Sequence, residues 1–222
     1  MTLCAMGHKT TDELITSLAQ ALAPVRPLRA PAYRAVASLG VVLLIVGFVI
    51  VAKGNLSDFR SRFAEPRMVV QCAAALLTAI AAIVAAFYAS LPDRSLRWRL
   101  LPLPPLAVWI AASGVGCEQY GLGWGPMGER LGRSTHCFVF IIGVSAPLAL
   151  FLGARLRRVR PIDPLPVAVT AALGAAALAA FSLQFFHPFD ITWVDLAVHL
   201  AAVSVVVGSV VGFGVAPHAE RV

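Results

Sequence analysis

Long apolar runs, separated by short arginine-bearing polar stretches, dominate this chain. A helix that crosses a bilayer needs roughly 20 mostly apolar residues, with a tolerated range of about 17–25. Six segments reach or approach that length: residues 35–52, 68–90, 100–116, 137–156, 166–186 and 194–217. The pattern therefore predicts an all-α polytopic membrane protein with six transmembrane helices. The third segment is short and opens on Pro102, Pro104 and Pro105, which a first helical turn tolerates because its N–H groups have no intrahelical partner. The fifth is alanine-rich and only weakly apolar, so it is expected among the other helices rather than against lipid. In the sixth, Ser204, Gly208 and Gly212 recur every fourth residue, a small-residue stripe that lets another helix approach closely. Packing inside the bundle of one chain is the expected use of that stripe.

Ahead of the first run lies the one sizeable polar piece, residues 1–34. Thr10 can cap a helix, Glu13 three residues on can complete a capping box, and Asp12 and Glu13 suit the positive end of the helix dipole. Leu14, Leu18 and Leu22 follow at every fourth position with Ile15 beside them, so a short amphipathic helix is predicted. Pro24, Pro27 and Pro31 end it and form a stiff, extended tether. A helix this short is marginal alone in water and needs a host for its leucine face. Helices that lie on membranes usually carry lysine and arginine on their polar face, and none stands between Thr10 and Val25. A protein groove fits better; docking onto the chain's own loops stands beside it.

Composition agrees with the membrane reading. Of 222 residues, 59% are hydrophobic and 13% charged, about half the charged share usual for a soluble domain. The net charge of +7 does not point to nucleic acid, because the basic residues are scattered over the polar stretches and no basic helix gathers them. They serve better to orient the protein. The flanks on the amino-terminal side of the first run and every second turn thereafter hold Lys9, Arg26, Arg29, Arg34, Arg94, Arg97, Arg99, Arg155, Arg157, Arg158, Arg160 and Arg221. The other flanks hold only Lys53, Arg60, Arg62, Arg67, Arg130 and Arg133. By the positive-inside rule both termini are expected in the cytoplasm of a bacterial inner membrane. No small-residue cleavage site closes the first run, which should stay as an anchor.

The chemistry-bearing residues gather at the opposite, outer end. Cys117 closes the third segment, His136 and Cys137 open the fourth, His187 closes the fifth, and His199 lies just inside the sixth near Asp195. Thiolate and imidazole suit zinc and other soft transition metals, and four such ligands would satisfy a tetrahedral site. Cys137, His187 and His199, with Cys117 as a fourth member, are the candidate ligands; Asp195 could orient a histidine. Cys117 could instead pair with Cys137 as a disulfide, since the space outside the inner membrane is oxidising. Cys72 reads as a small buried hydrophobe, and His8 and His136 as water-facing. The stretch 118–133, with five glycines, Tyr120 and Trp124, is expected to be a flexible hairpin. It is no phosphate loop, because no GK[ST] follows it.

The run Thr11-Asp12-Glu13-Leu14-Ile15, continuing to Leu22-Ala23-Pro24-Val25-Arg26-Pro27-Leu28, resembles the opening of the NrsF-type membrane anti-sigma factors. So do Gly132-Arg133-Ser134 leading to Cys137, then Ser145-Ala146-Pro147, and finally His187-Pro188 with Trp193 and His199. The resemblance covers nearly the whole chain, including the six-helix layout. It implies a regulator, not an enzyme: a protein that holds an extracytoplasmic-function sigma factor through its N-terminal part. Release on a metal or oxidative signal, sensed by two outer cysteines, is implied as well. The first matches Cys137, while the second family position is His187 here, so a disulfide between these two positions cannot form. On this reading residues 1–34 bind the sigma factor through Asp12, Glu13, Leu14, Ile15, Leu18 and Leu22, residues 35–217 form the bundle, and 218–222 are a cytoplasmic tail. No direct nucleic-acid contact is expected. A membrane redox protein with haem on His187 and His199 is the alternative. An ion-coupled transporter is disfavoured because intramembrane carboxylates are missing at mid-depth, and a hydrolase because no nucleophile–base pair stands out.

Overall fold

The computed structural model describes residues 10–22, 28–120, 127–186 and 193–215, and within them every side chain except 58, 62, 96, 115–120, 127–134, 193–195 and 211–215. Every regular element among the described residues is helical. Helices stand at all six predicted positions: α2 (Pro31–Lys53), α4 (Pro66–Ala89), α5 (Leu103–Tyr120), α6 (Met127–Arg157), α7 (Pro164–Leu183) and α8 (Trp193–Val215). Among the described residues there are also two shorter α-helices, α1 (Thr11–Gln20) and α3 (Leu56–Arg62), and a 3-10 helix at Leu96–Leu100. Four stretches among the described residues are long and apolar enough to cross a membrane: Pro31–Lys53, Pro66–Ala89, Thr135–Arg157 and Pro164–Leu183. The described apolar part of α8, Leu196–Val210, is shorter than a crossing.

Local chemistry sets the helix ends. Proline at the first turn opens α2, α4 and α7, where its fixed φ suits the helix and its missing N–H costs nothing. The Gly54 N–H closes α2 by donating to the Ile50 carbonyl at 2.7 Å. Arg160 follows α6 in the left-handed region at φ 48°, which ends that helix before the turn to α7. Pro147 lies inside α6 and denies one carbonyl a turn earlier its donor. Membrane helices tolerate this because neighbouring helices can satisfy the freed group.

The alanine-rich α7 is the centre of the bundle, as its composition predicts. It packs on α4, α6 and α8, and most residues from Val167 to Leu183 are buried. Lipid tails are as apolar as leucine, so helices in a bilayer gain by close contact rather than by apolar burial. Alanine and glycine allow that contact. At Gly174 an added Cβ would stand 2.7 Å from Ile83 Cγ1 and 3.3 Å from the Ala79 carbonyl oxygen, so α4 and α7 touch nearly backbone to backbone. By contrast, α2 buries a single stripe, Ala35, Ser38, Val42, Val46 and Ile50, and leaves Leu44, Phe48 and Val51 exposed. α5 is tied to α4 by the buried Gln71, whose Nε2 donates to the Ala112 carbonyl at 3.1 Å.

Two sequence expectations are corrected, and one helix is added. α6 begins at Met127, ten residues ahead of Cys137, and α5 runs on to Tyr120, so the predicted hairpin over 118–133 is helical at both its ends. Its glycines lower helix propensity without abolishing it once a long helix is already anchored in a bundle. In the small-residue stripe of α8, the two described members are not packed against other described residues, and the surroundings of Gly212 lie outside the description. Ser204 and Gly208 are exposed, and nothing described lies within 4 Å of a Cβ placed on Gly208. The short α3 was not anticipated. It forms because Asn55 starts it, accepting from the Phe59 N–H, while the Asn55 N–H donates to the Phe185 carbonyl at 2.9 Å. Phe59 then stacks on Phe185 with ring centroids 4.0 Å apart. A tertiary contact, not a periodic pattern, makes this helix.

Candidate functional site

Up-and-down connection places the start of α2, the end of α4, the end of α6 and the start of α7 at one end of the bundle. Contacts confirm this arginine-rich end: Arg34 Nη2 reaches the Arg155 carbonyl at 3.5 Å, and Arg99 Nη2 meets Asp163 Oδ2 at 3.0 Å. The opposite end holds the α2–α3 turn against Phe185, and Phe140 against Phe186 with centroids 4.9 Å apart.

The first candidate region is α1. Its capping box is formed as the sequence predicts: the Thr10 N–H donates to Glu13 Oε2 at 3.0 Å and the Glu13 N–H to Thr10 Oγ1 at 3.4 Å. Asp12 and Glu13 sit in the first turn. Leu14, Ile15 and Leu18 are 48%, 59% and 60% exposed, and Leu22 just beyond the helix is 79% exposed. None of the residues of α1 is buried. A formed helix with its large apolar side chains in the open is a surface that can take a partner.

The second candidate region is the end opposite the arginines. Cys137 is buried against Ile141 of its own helix, Ala179 and Leu183 of α7, and Ala202 of α8. His199 lies one turn before Ala202 on α8 and is half-buried. The fold thus brings Cys137 and the His199 segment to one level of the bundle. Cys72 is buried on α4, as expected of a small hydrophobe, and His136 is exposed. Of the other predicted ligands, His187 and the side chain of Cys117 lie outside the described residues, as does the side chain of Asp195. Among the described residues no three His, Cys, Asp or Glu groups come together in a way that could hold a metal ion.

Sequence reasoning treated Arg34 and Arg155 only as markers of orientation. The structure sets them side by side. Counting crossings could have found the pairing of ends, because the start of a first span and the end of a fourth must share a side in an up-and-down bundle. Which two of several arginines touch was not legible.

An all-helical bundle with four bilayer-length apolar helices among the described residues, and an exposed apolar face on its first helix, defines a membrane-associated helical protein. The chain belongs to the NrsF family, described as negative regulator of sigma F, whose family model matches residues 18–218. Membership points to negative regulation of a sigma factor and to a regulatory rather than catalytic role. No curated protein and no solved structure matches the chain. The match takes in Leu18 and Leu22 but begins after Leu14 and Ile15.

Proposed function

We propose that this protein is a membrane-anchored anti-sigma factor that holds an extracytoplasmic-function sigma factor on the apolar face of α1. The observation that carries the reading is the exposure of Leu14, Ile15 and Leu18 on a helix that is nevertheless capped at its N-terminus. A ten-residue helix gains little from propensity alone. An apolar groove on the sigma factor would supply the missing burial, at about 1.5–3 kcal/mol for each large side chain fully covered. Asp12 and Glu13, at the start of the helix, would meet basic residues at the rim. No basic residue lies in α1, which argues against a headgroup-bound helix. Pro24 and Pro27, which precede the start of α2 at Pro31, would stiffen the link that carries α1 in the cytoplasm.

Release is proposed to start at the opposite, periplasmic end. Cys137, His187 and His199, with Cys117, would take up a soft metal ion such as zinc, or Cys137 would be oxidised. Either event alters the packing of α6 against α7 and α8, where Cys137 is already buried. The signal reaches α1 only if the sigma factor binds the two states of the bundle with different affinity.

The test is capture of partners from native membranes by the tagged full-length protein and by a chain lacking residues 1–34. A sigma factor retained only by the full-length protein supports the reading. Leu14→Asp with Leu18→Asp should cut capture by about a hundredfold, the effect of losing two buried leucine contacts, while membrane insertion is unchanged. Equal capture by the double variant would rule out α1 as the docking helix.

A further inference from the structure

Two arginines from distant parts of the sequence meet at the arginine-rich end with no acid between them. Arg34, in the first turn of α2, donates from Nη2 to the carbonyl of Arg155 in the last turn of α6. Each guanidinium rests on a ring: Arg34 lies 5.2 Å from the centroid of the fully buried Phe87, and Arg155 lies 5.4 Å from that of Phe151. Arg34 Nη1 and Arg155 Nε are shut off from solvent, and neither has a hydrogen-bond partner among the described residues.

The described acids of the turns after α4 and α6 are engaged elsewhere. Asp163 pairs with Arg99 at 3.0 Å and Asp93 with Arg94 at 3.6 Å. The rings beneath Arg34 and Arg155 attract their charge from below, but they do not accept the in-plane N–H groups. Buried donors on a cation are costly when left unpaired, and two like charges side by side add to that cost. The start of α2 contributes the same sign. Ala30 caps it without a side-chain hydrogen bond, and no acid stands in its first turn to complement the helix dipole.

Both arginines are half-buried, so the outer part of each guanidinium, beside a helix start, is open to an anion with several acceptor oxygens. A phosphate group has that chemistry, and arginine recognises it better than lysine because its donors lie in a rigid plane. The location narrows the source. Arg34 and Arg155 lie at the ends of two stretches long enough to cross a bilayer, at the depth where lipid headgroups begin. We propose that Arg34 and Arg155 jointly bind the phosphate group of an anionic membrane lipid, which clamps the start of α2 to the end of α6.

The experiment uses the full-length chain in a non-ionic detergent, with phosphatidylglycerol, phosphatidylcholine or inorganic phosphate added. Retained ligand is read by native mass spectrometry. The wild type should keep phosphatidylglycerol in preference to phosphatidylcholine. Arg34→Gln and Arg155→Gln should each lower that retention by about tenfold, the loss expected for one charge-assisted hydrogen bond. Arg157→Gln and Arg158→Gln, at exposed neighbouring positions, should leave it unchanged. If the glutamine variants do not fold, Arg34→Lys and Arg155→Lys keep the charge without the fork and should still bind several-fold more weakly. Equal retention of the two lipids overturns the proposal, as do wild-type retention by the Arg34 and Arg155 variants and equal loss at Arg157 or Arg158. Displacement of the lipid by inorganic phosphate assigns the site to free phosphate and overturns the lipid.

Discussion

Gly174→Ala tests the claim that α7 is the close-packed centre of the bundle. The added methyl would lie 2.7 Å from Ile83 Cγ1 and 3.3 Å from both the Ala79 carbonyl oxygen and the Ile83 amide nitrogen. Favourable carbon–carbon contacts lie near 3.5–4.0 Å. Ile83 is itself buried, so its side chain has no space to swing into, and the backbone atoms of α4 can yield only if the two helices part. Overpacking of this kind costs about 1–3 kcal/mol. Replacing glycine by alanine in a helix returns about 0.8–1.0 kcal/mol. Gly208→Ala supplies the reference, because the same substitution there meets open space. The difference between the two variants isolates the packing term at about 1–3 kcal/mol. At about 2–4 °C per kcal/mol for a chain of this size, Gly174→Ala should melt several degrees below Gly208→Ala. Thermal unfolding in detergent, followed by circular dichroism, reads this directly. Ile83→Ala removes the nearest atom, so the double variant should be less destabilised than the two single losses summed. If Gly174→Ala melts at or above Gly208→Ala, the close approach of α4 and α7 is refuted.

Two other perturbations address function. Thr10→Ala or Glu13→Ala breaks one arm of the capping box, at about 1 kcal/mol, so each should weaken sigma-factor binding by about fivefold; titration of the full-length protein checks this, and unchanged affinity would mean α1 need not be helical when it binds. His187→Ala should abolish release of the sigma factor by added zinc while leaving capture without metal intact, and a surviving zinc response would remove His187 from the sensing set.

Much of the architecture was legible because two local signals are strong. Apolar length marks helices whatever surrounds them, so all six long helices appear where the hydropathy places them. The Thr10–Glu13 capping box needs only residues three apart, and it forms as read. Boundaries set by tertiary contact were not legible. α3 depends on Phe185, more than a hundred residues later in the chain, and α6 extends ten residues past the start that its apolar run suggests. The candidate ligands were legible only as belonging to one end. Of them, the structure describes Cys137, buried in a cluster of α6, α7 and α8 residues, and His199 one turn from Ala202 of that cluster.

Sequence alone therefore determined the class of protein, the number and place of its long helices, the capped leucine helix ahead of them, and the family that covers residues 18–218. Tertiary structure decided which faces meet. In a soluble protein the apolar face of a helix announces its neighbour, but in a bilayer lipid and protein are equally apolar, and composition no longer distinguishes inside from outside. Glycine shows this most plainly. Gly174 is locked against Ile83 while Gly208 is open, and no local pattern separates them. The same holds for charge: Arg34 and Arg155 are two of many arginines in the sequence, and only the fold, which brings the start of α2 to the end of α6, makes them a pair.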